Sequence, residues 1–172
     1  MAKVTPYKKG EFVSSRVPKG DAAEEVAATP VGDLLDCLPR EDISKQLTSK
    51  LLEGFKSKTW GVRKEAALSV LGILEAAKMR IETTGLVDLM SCMKEGMKEA
   101  NKAVLKTYIQ LLGSLAEAVG PKIKSYLKKC FEPMVFNLSD KQSLVRGDVV
   151  DCMDKWAAAL ESSSEVLTVI CK

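Results

Sequence analysis

The chain contains no histidine. That absence removes histidine-based triads, histidine metal ligands and the usual general base near neutral pH. Carboxylates and lysines remain as catalytic groups. However, acidic pairs such as Glu24-Glu25 fall in a segment without apolar period or on polar helix faces. There is no glycine-rich phosphate loop. No apolar run approaches the roughly 20 residues needed to cross a bilayer. The N-terminus lacks the apolar stretch of a secretory leader, so the sequon Asn137-Leu138-Ser139 reads as coincidence. The five cysteines, Cys37, Cys92, Cys130, Cys152 and Cys171, are odd in number and widely spaced, with no Cys-X-X-Cys pair. A zinc site or secreted disulfide framework is therefore not expected, and reduced thiols in a cytosolic protein fit the pattern. The net charge of +3 is too small to argue for nucleic acid. These absences point away from an enzyme, a cofactor, a membrane and a nucleic-acid partner.

What the chain has is repetition. Val62, Ala66, Ser69, Val70, Ile73 and Ala77 form an apolar set broken only by Ser69. The same spacing returns as Val104, Tyr108, Leu111, Leu112, Leu115 and Val119, then as Val145, Val149, Cys152, Met153, Trp156 and Leu160. Steps of four, three, one, three and four trace one face of an α-helix. Recurrence about forty residues apart predicts an all-α solenoid of HEAT or armadillo type. Proteins of this kind present extended binding surfaces.

A second helix precedes each repeated face. Counting back seven, eleven and fifteen residues gives Phe55, Leu51 and Leu47, then Met97, Met93 and Leu89, then Leu138, Met134 and Cys130. Lys94 is a misfit beside Leu52 and Val135, and its stem is expected to snorkel. Counting back eight gives Gly54, Gly96 and Asn137, residues that tolerate a left-handed helix terminus. Antiparallel helix pairs are thus expected near 44–79, 86–119 and 121–160. Turns inside the pairs fall near 56–61, 98–103 and 139–144, and turns between pairs near 79–86 and 120–122. Pro39 stops any helix before the first pair and biases Leu38 to extended geometry. Ser44 or Thr48 can cap the helix that follows.

Residues 1–35 read as a flexible linker, basic at Lys3, Lys8, Lys9, Arg16 and Lys19, then acidic at Asp21, Glu24, Glu25 and Asp33. The repeat domain occupies 36–172. Within it, 164–172 begins a fourth pair with Val166, Leu167, Val169 and Ile170 and does not complete it. The expectation is a fragment of a longer solenoid, or an end covered by another molecule.

Trp60 lies in the first intra-pair turn, at Lys58-Thr59-Trp60-Gly61, out of phase with the core set. It reads either as a partner anchor, since Trp is enriched at interface hot spots, or as a ring folded back onto its own helices. The later turns carry Asn101-Lys102 and Asp140-Lys141-Gln142-Ser143, so each turn presents a lysine, at 58, 102 and 141. Ordinary solvated turn chemistry is the plainer account of these lysines. The other is a mildly basic edge suited to an acidic protein surface. Arg63 and Arg146 are expected to pair with a turn carboxylate or backbone oxygen of a neighbouring repeat. Trp156 is expected in the core. Met79, Met90, Met93, Met97, Met134 and Met153 read as core filling.

In their order and spacing, several segments resemble the TOG domains of the ch-TOG and mini spindles family of microtubule polymerases. Leu38-Pro39-Arg40-Glu41-Asp42-Ile43-Ser44 resembles the start of an internal, third- or fourth-type domain. Trp60-Gly61-Val62-Arg63-Lys64-Glu65 is similar to the first intra-pair turn, and Ile81-Glu82-Thr83-Thr84-Gly85 to the first inter-pair loop. Asn101-Lys102 is similar to the second turn, and Ala116 to Pro121 to the junction into the third pair. Asp140 to Arg146, with Trp156, resembles the third pair's second helix. The resemblance covers roughly residues 36–160. It implies a paddle of six helix pairs that binds αβ-tubulin along the intra-pair turns, with no cofactor and no covalent chemistry. It implies an anchor against β-tubulin at Trp60, flanked by Lys58 and Thr59, and further contacts at Asn101, Lys102 and Lys141. It also implies neighbouring HEAT repeats or TOG domains in a parent chain, and a cytoplasmic location on microtubules, the spindle or its poles. The chain supplies three pairs and part of a fourth, and Ala100 stands where the family usually has Ser or Asp. The alternative is a structural HEAT scaffold that docks another protein through its open C-terminal end.

Overall fold

The computed structural model describes residues 39–160. The expectations for residues 1–35, Leu38, Cys37, Cys171 and 164–172 lie outside the described residues. The first regular helix, α1 (Ser49–Phe55), starts where Thr48 turns extended and its hydroxyl accepts a hydrogen bond from the Leu51 amide at 3.3 Å. Thr48, rather than Ser44, is the cap. The pair expected from residue 44 therefore begins later. Residues 44–47 form a turn, and Ile43 just before it and Leu47 at its end are buried. α2 (Trp60–Ala76) follows a short turn. α3 (Leu86–Gly96) starts behind Gly85, and α4 (Lys102–Val119) starts at Asn101, whose Oδ1 accepts from the Ala103 amide at 3.0 Å. A 3-10 turn (Gly120–Ile123) places Pro121 at a helix start, where its missing N–H costs nothing. It leads into α5 (Lys124–Asn137) and then α6 (Ser143–Ala159).

These are the three expected antiparallel pairs. α1, α3 and α5 form one layer; α2, α4 and α6 form the other, with α4 packed between α2 and α6. The sequence logic follows the position. Thirteen residues of α4 are buried, against five of α2, because α4 has neighbours on both sides and α2 has a described neighbour on one. Among the described residues the only strand-like contact is an isolated bridge between Glu41 and Ile81.

The end repeats reveal which register faces which neighbour. Val104 and Val145 are buried, but their equivalent Val62 is 42% exposed. Leu111 and Cys152 are buried, while their equivalent Ser69 is exposed. These positions face the preceding repeat, and no described repeat precedes α2. Val62 is thus not part of the core, which α2 builds instead from Ala66, Ala67, Val70, Leu71 and Leu74. Conversely, Ala67 and Ile109 are buried and their equivalent Val150 is exposed, so that register faces the following repeat. The other two repeated faces are buried as expected apart from the half-buried Met153.

Trp156 is fully buried and its Nε1 donates to the Leu112 carbonyl at 3.2 Å. Met90, Met93, Met97 and Met134 are buried, with Met79 and Met153 packed beside them. Burial pushes the Cys130 and Cys152 thiols up to about 12, so both act as protonated small hydrophobes. Lys94 and Val135 stand on exposed surface, and Lys94 needs no snorkelling.

Gly54, Gly96 and Asn137 are not left-handed termini. Positive φ among the described residues occurs at Lys78, Met79, Gly85 and Gly120. The first two positions are small because the paired helices touch there. A Cβ on Gly54 would lie 3.0 Å from Ala66 Cβ, and one on Gly96 would lie 2.5 Å from the Tyr108 ring. Asn137 is buried and its Nδ2 donates to Met97 O at 2.9 Å in the preceding repeat and to Pro133 O at 2.8 Å. Its amide is therefore spent on joining repeats.

On the inter-pair side the backbone joins the repeats. Arg40 Nη1 donates to Val119 O at 2.6 Å and Ala118 O at 3.4 Å, placing a cation at the negative end of α4. The Glu41 amide donates to Arg80 O, the Glu82 amide to Glu41 O, and the Ile81 amide to Ala118 O, at 2.9, 2.9 and 3.0 Å.

Candidate functional site: the edge of intra-pair turns

The opposite edge carries the turns between α1 and α2, α3 and α4, and α5 and α6. In the first, Trp60 is the first residue of α2 and stays 54% exposed. Of the two readings of this residue, the folded-back ring does not occur. Thr59 occupies the cap position but its hydroxyl makes no capping bond. The turn is held instead from the helix: Arg63 Nη1 donates to Ser57 O at 2.8 Å and Lys58 O at 3.0 Å. The Lys58 and Thr59 side chains are left in solvent.

The same guanidinium reaches the second turn. Arg63 Nε and Nη2 donate to the two Glu99 carboxylate oxygens at 2.7 and 3.0 Å. Glu99 also accepts from the Asn101 amide at 3.0 Å. The pattern then moves one repeat along. Asp140, the residue equivalent to Glu99, accepts from Lys102 Nζ of the second turn and, at 2.9 Å, from the Gln142 amide of its own. Arg146 Nη1 donates to Asp140 O at 2.7 Å and Lys141 O at 3.2 Å, as Arg63 does in the first turn. Each acid thus orders its own turn through a backbone amide and ties it to the turn before through a cation.

Charge follows from this geometry. Burial works to raise Glu99, but the Arg63 hydrogen bonds and the Asn101 and Ala100 amides outweigh it, and the carboxyl lies below its ordinary value. The Lys102 hydrogen bond, then the Gln142 amide, hold Asp140 below its ordinary value. Arg63 is raised by its Glu99 bonds. The edge is therefore permanently ionised near neutral pH.

The sequence-expected site residues divide accordingly. Trp60, Lys58, Thr59 and Lys141 stand exposed on this edge. Asn101 lies on it with Oδ1 committed to capping α4. Lys102 is half-buried and paired with Asp140, so of the three turn lysines Lys58 and Lys141 are the exposed ones. Glu99 and Asp140 were missing as roles. The signal for them is in the chain, since both stand three residues before the first residue of a helix in equivalent turns. Among the described residues no group of His, Cys, Asp or Glu could hold a metal ion, and the edge offers contact and charge.

No family model matches the chain. Protein MOR1 of Arabidopsis thaliana is 30% identical over 166 residues, 96% of this chain and 8% of that protein. Protein mini spindles of Drosophila melanogaster is 27% identical over 124 residues, 72% of this chain and 6% of that protein. The chain thus spans less than a tenth of the length of these relatives. A chain from a structure describing microtubule plus-end tracking by XMAP215, CLIP-170 and EB1 superposes with a TM-score of 0.66 at 21% identity, over 79% of this chain and 57% of that one. That likeness establishes the helical-repeat fold. The turn sequences and the sequence relatives make the chain a TOG-type HEAT-repeat domain of the ch-TOG and mini spindles family.

Proposed function

We propose that this chain binds αβ-tubulin through the edge of intra-pair turns, as one TOG domain of a longer microtubule polymerase that recruits tubulin for growth. The observation that carries the reading is Trp60, a large aromatic residue left 54% exposed at the first turn. A large aromatic side chain that becomes buried on binding is the usual centre of an interface hot spot. Lys58 and Lys141 supply unspent positive charge on the same edge for an acidic partner, and Thr59 and the side-chain Nδ2 of Asn101 supply polar contacts. Lys102 contributes by fixing the third turn through Asp140. The mechanism is capture and delivery without covalent chemistry: tethered domains raise the local concentration of tubulin near a growing end. The lead-in sequence favours an internal, third- or fourth-type domain, and the relatives favour a place on the microtubule cytoskeleton.

The test is co-elution of the chain with αβ-tubulin on size exclusion. Native chain that co-elutes, with Trp60→Ala losing the complex at unchanged melting temperature, supports the reading. A Trp60→Ala chain that co-elutes undiminished removes Trp60 from the site. A second role is favoured by Val150, exposed at the register where Ala67 and Ile109 are covered by the next repeat. The outer face of α6 is a docking face for a further repeat or another protein.

A further inference from the structure

Phe136 is 77% exposed in the last turn of α5, the highest exposure of any large apolar side chain among the described residues. An exposed residue near the C-terminal end of a repeat array is ordinarily explained by the repeat that would follow. The repeats themselves argue against that here. The equivalent positions in the first two pairs are Glu53 and Glu95, and both are exposed although a following repeat packs on each. Stacking therefore does not cover this register. Leu144, on the other side of the third turn, is likewise exposed, and its equivalent Ala103 remains exposed in the stacked second repeat.

Phe136 belongs to the turn edge. It lines a cleft of about 500 Å³ between the second and third turns, together with Met97, Lys98, Asp140, Lys141 and Gln142. The two acids bordering this cleft, Glu99 and Asp140, are already neutralised by Arg63 and Lys102. Lys98 makes only a loose 3.7 Å pair with Glu95, and Lys141 is exposed. The cleft lining carries Lys98, Lys102 and Lys141 against Glu99 and Asp140, an excess of positive charge that fits an acidic partner.

We infer that Phe136 is a second apolar anchor for αβ-tubulin, placed across the second turn from Trp60, so that the edge grips its partner at two aromatic points with the ion-paired turn between them. The inference rests on the tubulin reading above. It extends the contact surface from the turn loops onto the end of α5, at a position outside the turn segments that carry the family resemblance.

Isothermal titration of the native chain, Trp60→Ala, Phe136→Ala and Phe136→Lys with αβ-tubulin tests it. Both Phe136 variants should weaken binding about tenfold or more, with circular dichroism and melting temperature unchanged because the side chain is exposed. Phe136→Ala with native affinity, alongside Trp60→Ala without binding, would overturn the second anchor and leave the tubulin reading standing. Phe136→Lys with native or higher affinity would show that charge alone matters there and would also overturn it. A native chain that self-associates in sedimentation, with Phe136→Lys monomeric, would assign the residue to contact between copies instead. Failure of the native chain to bind would remove the tubulin reading and this inference with it.

Discussion

The two edges of this solenoid are built by different means. Along the inter-pair edge, backbone amides and carbonyls of the lead-in, the first inter-pair loop and the end of α4 bond to one another, and Ile43 and Ile81 are fully buried beneath them. Along the intra-pair edge, neighbouring turns are tied by side-chain ion pairs, Arg63 to Glu99 and Lys102 to Asp140. Backbone bonding consumes polar groups and closes the surface. Side-chain pairing holds the turns in register while leaving Trp60, Lys58, Lys141 and Phe136 outside. A closed edge supports the stack, and an open but ordered edge can bind.

The largest expected effect breaks the closed edge. Gly120 has φ 68° and ψ −148°, a region nearly restricted to glycine, and an added Cβ would lie 3.2 Å from the Arg40 guanidinium. Gly120→Val should cost about 2–3 kcal/mol of stability in denaturant unfolding. The opposite result is expected for Gly61, on the open edge, where an added Cβ meets nothing within 4 Å. Gly61→Ala should be neutral or stabilising by up to about 0.5–1 kcal/mol.

A smaller effect probes the ion pairs. Arg63→Met removes two bonds to Glu99 and two to first-turn carbonyls, and should lower the melting temperature by several degrees. Arg146→Met removes only the two carbonyl bonds of its own turn and should lower it less. Equal losses would mean that the link between turns adds nothing.

Acid should act on the same edge. Glu99 and Asp140 lie below their ordinary values of 4.5 and 3.8 in the folded chain. A depressed folded pKa contributes stability that is complete above the unfolded value and is lost as pH falls through the folded one. The melting temperature should therefore decline on acidification below those ordinary values, and less so in a Glu99→Gln, Asp140→Asn double variant. An unchanged slope would place the acid sensitivity elsewhere.

The smallest effect on stability belongs to the exposed lysines. Lys58→Glu and Lys141→Glu should leave thermal unfolding unchanged and weaken tubulin binding in a salt-dependent manner. Lys102→Met should instead lower stability, since Asp140 loses its partner.

Much of the architecture was legible in the chain. The spacing from Val104 to Val119 and from Val145 to Leu160 returned as buried helix faces, and the turns fell where the patterns stopped. Val62 was not legible, because the same apolar residue is core or surface according to whether a repeat lies beside it. Gly54 and Gly96 suggest helix termini in the sequence because glycine permits a left-handed bend. Their small size instead admits Ala66 and Tyr108 from the paired helix. Among the site residues, Trp60 and Lys141 could be placed on a turn from spacing alone. The different fate of Lys102 depended on Asp140, which lies 38 residues away.

Local periodicity by itself determined the helices and the turns that end them, because each depends on residues a few positions apart in the chain, and its recurrence gave their pairing and the edge on which the turns lie. Only the tertiary structure decided which turn charges are spent and which are free, and which apolar residues are core. It left Phe136 in solvent, at a position that the exposed equivalent residues Glu53 and Glu95 show stacking does not cover. Those outcomes depend on side chains some forty residues apart, brought together when one repeat packs against the next.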